Sequence, residues 1–146
     1  MKISPTLHHI LGGFAGIAIL AATMLGASGP GLADEDTSAK VKPVAMERLP
    51  NVPGKSVSAV LVSYDPGGKS PRHHHAGSVL AYVLTGAIRS ENSATGAARI
   101  YQAGESFFEP AGSTHLISEN ASATDPASLL AIFVADDGAH LTTIDK

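Results

Sequence analysis

Gly67-Gly68-Lys69-Ser70-Pro71-Arg72-His73-His74-His75-Ala76-Gly77-Ser78-Val79-Leu80-Ala81-Tyr82-Val83-Leu84-Thr85-Gly86 is the most informative stretch of this chain. Its first glycines complete the turn Asp65-Pro66-Gly67-Gly68, a composition that reverses the chain. Its second half, Val79–Leu84, is a continuous apolar run that stops at Gly86, as a buried strand does. Between them stand three consecutive histidines. In an extended chain the side chains at i and i+2 share a face. His73 and His75 therefore project together, about 6–7 Å apart along the backbone, while His74 points the other way. Two readings of the triplet stand side by side: a solvated polar loop, or a pair of rings converging on one ion.

Outward from this stretch the sequence keeps the same rhythm. Val57, Ala59 and Leu61 alternate with Ser58, Val60 and Val62 in a strand running from Ser56 to Tyr64. Further strands are expected over 87–91, 97–101, 106–109, 115–118 and 128–135. The segment 92–96 forms a hairpin loop, and Gly104 marks a turn. Outside the first 33 residues no stretch has a 3.6-residue apolar period, and there is no internal repeat. Short strands at regular spacing predict an all-β sandwich or small barrel. His115 follows Pro110-Ala111-Gly112-Ser113-Thr114, a second turn opening a second strand. A barrel that joins the two strands brings three imidazoles together. Neutral imidazole suits first-row divalent metals, and three protein nitrogens leave positions for water, dioxygen or substrate. His140, beside Asp136-Asp137-Gly138, reads as a surface histidine.

Composition narrows the function classes. The 146 residues suffice for one domain. With 13 acidic and 10 basic residues the net charge is −3. The absence of a basic run argues against nucleic acid or an anionic membrane as partner. The chain has no Cys, which excludes disulfides, thiol nucleophiles and Cys-based zinc or redox sites. It has no glycine-rich phosphate loop. Lys2, the apolar run Ile10–Leu25 and Gly31-Leu32-Ala33 before Asp34 have the order of a secretory signal peptide. The run is shorter than the roughly 20 residues of a membrane span and contains Gly12, Gly13 and Gly16. The expected organisation is a cleaved signal peptide over 1–33, an N-terminal arm over 34–55 carrying Pro43, Pro50 and Pro53, and one domain over 56–146. The expected location is periplasmic or secreted, with no membrane contact after cleavage.

At its histidines the chain resembles the cupins, specifically the small single-domain, quercetin-dioxygenase-like type. The family's first motif is G(X)5HXH(X)3–4E(X)6G, and Gly67, His73, His75 and Gly86 stand at its spacing. The second is G(X)5PXG(X)2H(X)3N, met by Gly104, Pro110, Gly112 and His115. The resemblance spans about residues 56–135. It implies a double-stranded β-helix, the cupin jelly-roll barrel, with one divalent metal ion per chain held by His73, His75 and His115. Iron is the first expectation, with manganese, nickel, zinc or copper as alternatives. The glycines and Pro110 would shape turns, since glycine takes positive φ without steric cost.

Two positions depart from the pattern. Val79 stands where the family carries a ligating glutamate, and Glu119 stands at the final asparagine. The resemblance therefore implies three histidines without a carboxylate, as in the thiol dioxygenases and the acetylacetone-cleaving enzyme. Glu119, four residues from His115, would share its face if the strand is regular. That would put it near the metal or at the rim. Glu105 and Glu109 are candidates to accept hydrogen bonds from ligand imidazoles. Val79, Ala81 and Val83 would face the ligand and Tyr82 would face away. Tyr64, Phe107, Phe108 and Phe133 would wall the cavity or pack the core, and Arg72 would meet an anionic substrate or solvent. The catalytic residues stay unassigned. The implied activities are a metal-dependent dioxygenase acting on a small enolisable or dioxygenated substrate, a non-enzymatic metal or small-molecule binding module, and a metal-dependent isomerase or lyase. A homodimer is the expected assembly, with residues 40–56 adding to a partner's sheet.

Overall fold

The computed structural model describes residues 39–146. The expected signal peptide over 1–33 and the first residues of the arm lie outside the described residues. Ten strands follow in order: β1 (Ala39–Arg48), β2 (Lys55–Tyr64), β3 (His73–His75), β4 (Ser78–Thr85), β5 (Ala87–Asn92), β6 (Gly96–Gln102), β7 (Ser106–Glu109), β8 (Thr114–Asn120), β9 (Ala127–Asp136) and β10 (Thr142–Ile144). They form two five-stranded antiparallel sheets, β1-β2-β9-β4-β7 and β10-β3-β8-β5-β6. This is the expected all-β double-stranded β-helix.

The inner faces of the two sheets differ in kind. On the first, β4 and β9 alternate strictly. Val79, Ala81 and Val83 of β4 and Ala127, Leu129, Ala131, Phe133 and Ala135 of β9 are buried, while Leu80, Tyr82 and Leu84 are exposed. Period-2 alternation with one buried face is what an antiparallel sheet requires. Burying each of Val79, Val83 and Phe133 stabilises the fold by about 1.5–3 kcal/mol. The second sheet turns mostly polar side chains inward: His73, His75, Ser90, Asn92, His115, Ser118 and Asn120 are buried, with Ile88 their apolar neighbour. No buried side-chain nitrogen or oxygen among the described residues lacks a hydrogen-bond partner.

Two strands depart from the sequence reading. Residues 39–48, read as part of an N-terminal arm, form an edge strand that pairs along β2 of their own chain, from Ala39 opposite Tyr64 to Arg48 opposite Ser56. Pro43 hid this strand. It lies on the sheet edge at a register shift between Pro43 and Ala45, where a missing N–H is tolerated. Thr142–Ile144 adds β10 beside β3, in a run of β-branched residues too short to announce itself.

Gly77 shows how tightly β4 sits on β9. A β-carbon there would overlap the Val134 carbonyl oxygen and lie 2.7 Å from the Ala135 β-carbon. Neither can retreat, because β9 is paired on both sides. Gly77→Ala is therefore expected to lower stability by about 3 kcal/mol, read as a fall in the urea midpoint. Gly67→Ala, where nothing lies within 4 Å and only a φ of +69° is strained, is expected to cost about 1 kcal/mol. An equal loss in both variants would contradict the close approach.

Candidate metal centre

Strand β3 consists of the three histidines, and its register places His73 opposite His115 of β8. His73, His75 and His115 are buried at 7%, 5% and 3% exposure, so the solvated-loop reading of the triplet is excluded. Each offers one ring nitrogen, and these nitrogens all lie within 4.8 Å of one another. His74 turns outward, as i, i+1 geometry requires, and its Nδ1 lies 2.7 Å from Asp145 Oδ1.

Hydrogen bonds fix which nitrogen faces inward. His73 Nδ1–H donates to the Pro71 carbonyl oxygen at 2.7 Å. His75 Nδ1 lies 3.2 Å from the Leu141 carbonyl oxygen and 3.1 Å from Thr142 Oγ1. A carbonyl accepts only, so both rings carry their hydrogen on Nδ1 and keep the Nε2 lone pair for the cavity. His115 is oriented from both sides: Nε2 lies 2.9 Å from Ser90 Oγ and Nδ1 lies 3.0 Å from Glu109 Oε2. The same carboxylate oxygen is 3.8 Å from His75 Nε2 and accepts from Asn92 Nδ2 at 3.3 Å.

Burial lowers the pKa of His73 and brings His75 down to about 4, because a low-dielectric surrounding penalises the imidazolium. Burial alone would raise the Glu109 carboxyl. The His115 hydrogen bond and the surrounding imidazoles outweigh it and hold Glu109 below the usual carboxylate range. At neutral pH the site thus gathers the unprotonated imidazoles of His73 and His75 and one carboxylate beside His115. That is a donor set a divalent cation fits, with nitrogen and oxygen ligands suited to first-row metals.

The cluster opens into a cavity of about 320 Å³ between the sheets. Val60, Val62, Leu129 and Ala131 line it along with Tyr64, Phe107 and Phe133. Tyr64 is held by Ser118 Oγ at 2.8 Å and Ser70 Oγ at 2.9 Å, and burial raises its pKa.

Several expected residues go elsewhere. Glu119 does not reach the site: its Oε1 accepts from Arg89 Nη1 at 2.7 Å. The reason is an irregularity in the β5–β8 ladder. Glu91 pairs with Ile117 but Asn92 pairs with His115, so Leu116 is an extra residue. Beyond it the alternation inverts, and Ser118 and Asn120 turn inward while Glu119 turns out. Glu105 accepts from the Gln102 backbone N–H at 2.6 Å at the turn and meets no histidine. Phe108 is 51% exposed on the outer face, unlike Phe107. Arg72 pairs with Asp145 at 3.2 Å and does not line the cavity. His140 is exposed, as expected. Sequence reading missed Ser90, Asn92, Ser118 and Thr142. Small polar residues inside a strand carry no signal until the sheet facing them is known.

Comparison with known proteins agrees with this fold. No curated protein matches the chain. Among solved structures it is similar to an RmlC-like cupin from Shewanella frigidimarina, at 21% identity over 72% of this chain and 83% of that one, with a TM-score of 0.55. It is also similar to KdgF from Halomonas sp., at 24% identity over 69% and 82% of the two chains, with a TM-score of 0.53. A recombinant oxalate oxidase in complex with glycolate matches at 21% identity over 76% of this chain and 57% of that one, with a TM-score of 0.58. At these identities the likeness establishes the fold. The family described as the cupin domain matches residues 60–133, the span that carries all three histidines, and the chain belongs to the cupin family.

Proposed function

We propose that this cupin is a mononuclear non-haem metalloprotein. His73, His75 and His115 would hold one divalent ion, with iron as the leading metal. Its proposed reaction is a dioxygen-consuming cleavage of a small enolisable or dioxygenated substrate. The observation that carries the reading is the buried histidine cluster, with two rings locked to present Nε2 to an apolar cavity. When bound, such an ion supplies Lewis acidity and a template for substrate and dioxygen. The chain itself supplies the rest. Phe107, Phe133 and Leu129 give the cavity apolar walls, which strengthen the polar interactions beside them. The cavity volume restricts the substrate to a small molecule. Residues 1–33 as a cleaved signal peptide and a periplasmic or secreted homodimer belong to the same proposal.

A second reading, a metal-dependent lyase or isomerase, is favoured by Tyr64. Its hydroxyl faces the cavity between Ser70 and Ser118 and stays protonated at neutral pH, so it can donate a proton to a bound substrate. Solved structures of similar fold include proteins named as DMSP lyases.

Metal analysis of untagged protein, purified without added metal, tests the proposal. About one iron per chain is expected, lost in His73→Ala/His75→Ala and in His115→Ala, with oxygen uptake on diketones or flavonols abolished in parallel. Zinc, nickel or manganese at that occupancy would shift the reaction to the second reading. Absence of native metal together with failed reconstitution would overturn the metal site altogether.

The buried histidines also set the acid limit of the empty barrel. In the unfolded chain a histidine titrates near 6.5, whereas folded His75 titrates at about 4. Between these values the unfolded chain binds a proton that the barrel refuses. Full stability is thus present above pH 6.5 and falls as pH drops towards 4, by on the order of 3 kcal/mol from His75, with His73 acting in the same direction. Urea midpoints of chelator-treated protein between pH 7.5 and 4.5 are expected to fall accordingly. His75→Phe should flatten part of that slope, and an unchanged slope would contradict the assignment.

A further inference from the structure

We propose that Glu109 is a fourth protein ligand at the metal centre, supplying from β7 the carboxylate that Val79 cannot supply from β4. This rests on the reading of the three histidines as metal ligands and adds to it a residue that spacing along the chain does not mark.

The argument is one of register. Glu109 pairs directly with Val79 across β4 and β7, and both are buried, at 3% and 1% exposure. Directly opposed residues in an antiparallel pair share a face, with β-carbons about 4.5–5.5 Å apart. A glutamate at 109 therefore delivers its carboxylate to the region a glutamate at 79 would reach, entering from the neighbouring strand. Donors bound about 2.1 Å from one ion stand about 3.0–3.4 Å apart for octahedral to tetrahedral angles. Glu109 Oε2 stands at that separation from His115 Nδ1, at 3.0 Å. It is 3.8 Å from His75 Nε2, beyond that range, so the carboxylate has to turn towards His75 to share an ion with it.

The surrounding groups point the same way. His115 Nε2 is engaged by Ser90 Oγ, so Nδ1 is the nitrogen it turns to the centre, and Nδ1 faces Glu109. An ion entering between them takes the place of the hydrogen bond that now joins the two. Asn92 Nδ2 donates to Glu109 Oε2 and holds the carboxylate in that position. Glu119 is tied to Arg89 on the far side of β8 and serves as the control.

The test uses cobalt(II) alone, added to chelator-stripped, untagged protein. Affinity comes from titration and the ligand number from the visible bands, which intensify as coordination number falls. Glu109→Leu is expected to weaken cobalt binding on the order of 100-fold and to intensify the bands. Glu119→Ala should match the wild type. Val79→Glu/Glu109→Leu, which moves the carboxylate back across the register, should recover most of the affinity and the wild-type spectrum. Wild-type affinity and spectrum in Glu109→Leu would overturn the proposal. So would weaker binding with an unchanged spectrum and no recovery in the double variant, which would make Glu109 only the hydrogen-bond partner of His115. Should the double variant fail to fold by circular dichroism, the spectrum of Glu109→Leu decides. Unaltered cobalt binding by His73→Ala/His75→Ala is a separate failure, that of the histidine site itself.

Discussion

The pairing of His73 with His115 across β3 and β8 is the constraint on which the rest of the site depends. Strand β3 is three residues long, too short to hold its own geometry against the entropy of fixing its backbone. It is ordered from outside. β8 takes one edge and β10 the other. Beyond the strand, the Gly112 N–H donates to the His75 carbonyl oxygen at 3.0 Å and the Ala76 N–H to the Leu141 carbonyl oxygen at 3.2 Å. The same turn that delivers His115 thus also pins His75. The second and third ligands of the proposed centre are not independent.

This arrangement makes the C-terminal strand part of the site. Leu141 and Thr142 accept from His75 Nδ1, Asp145 receives His74 and Arg72, and Ile144 lines the cavity. A short β-branched strand at the edge would contribute little by burial alone. Its contribution is to fix a tautomer, which decides whether a ring nitrogen is a donor or a ligand.

Much of this was legible in the sequence, for a physical reason: strand alternation and turn chemistry are local. The i, i+2 relation of His73 and His75, the outward His74, and the inward Val79, Ala81 and Val83 follow from period two alone. The positive φ at Gly67, Gly86, Gly104 and Gly112 follows from turn chemistry. What was not legible depends on pairing across strands. Glu119 was placed beside His115 by counting residues, and a single extra residue at Leu116 inverted the count. Glu109 was marked only as a candidate acceptor for a ligand imidazole, and its place beside Val79 could not be seen until β7 was laid against β4. Phe107 and Phe108 differ by one position, and only the sheet facing them says which is inside.

The interior charge supplies the remaining argument. Glu109 is ionised below the usual carboxylate range and is 3% exposed. Among the described residues its recorded polar neighbours are His75, His115 and Asn92, and burial keeps His75 neutral at pH 7. An anion removed from water carries a penalty of several kcal/mol, and the Asn92 amide and the His115 imidazole beside it offset part of that penalty. A divalent ion among the three imidazoles would offset the rest, and the apolar walls that make the bare carboxylate costly would strengthen that attraction. The features that destabilise the metal-free barrel are therefore those that would bind the ion: desolvated imidazoles, a buried carboxylate and an apolar cavity. Stability has been given up at one inner face, where an apolar sheet would have packed better, and the apolar face opposite it provides the compensation.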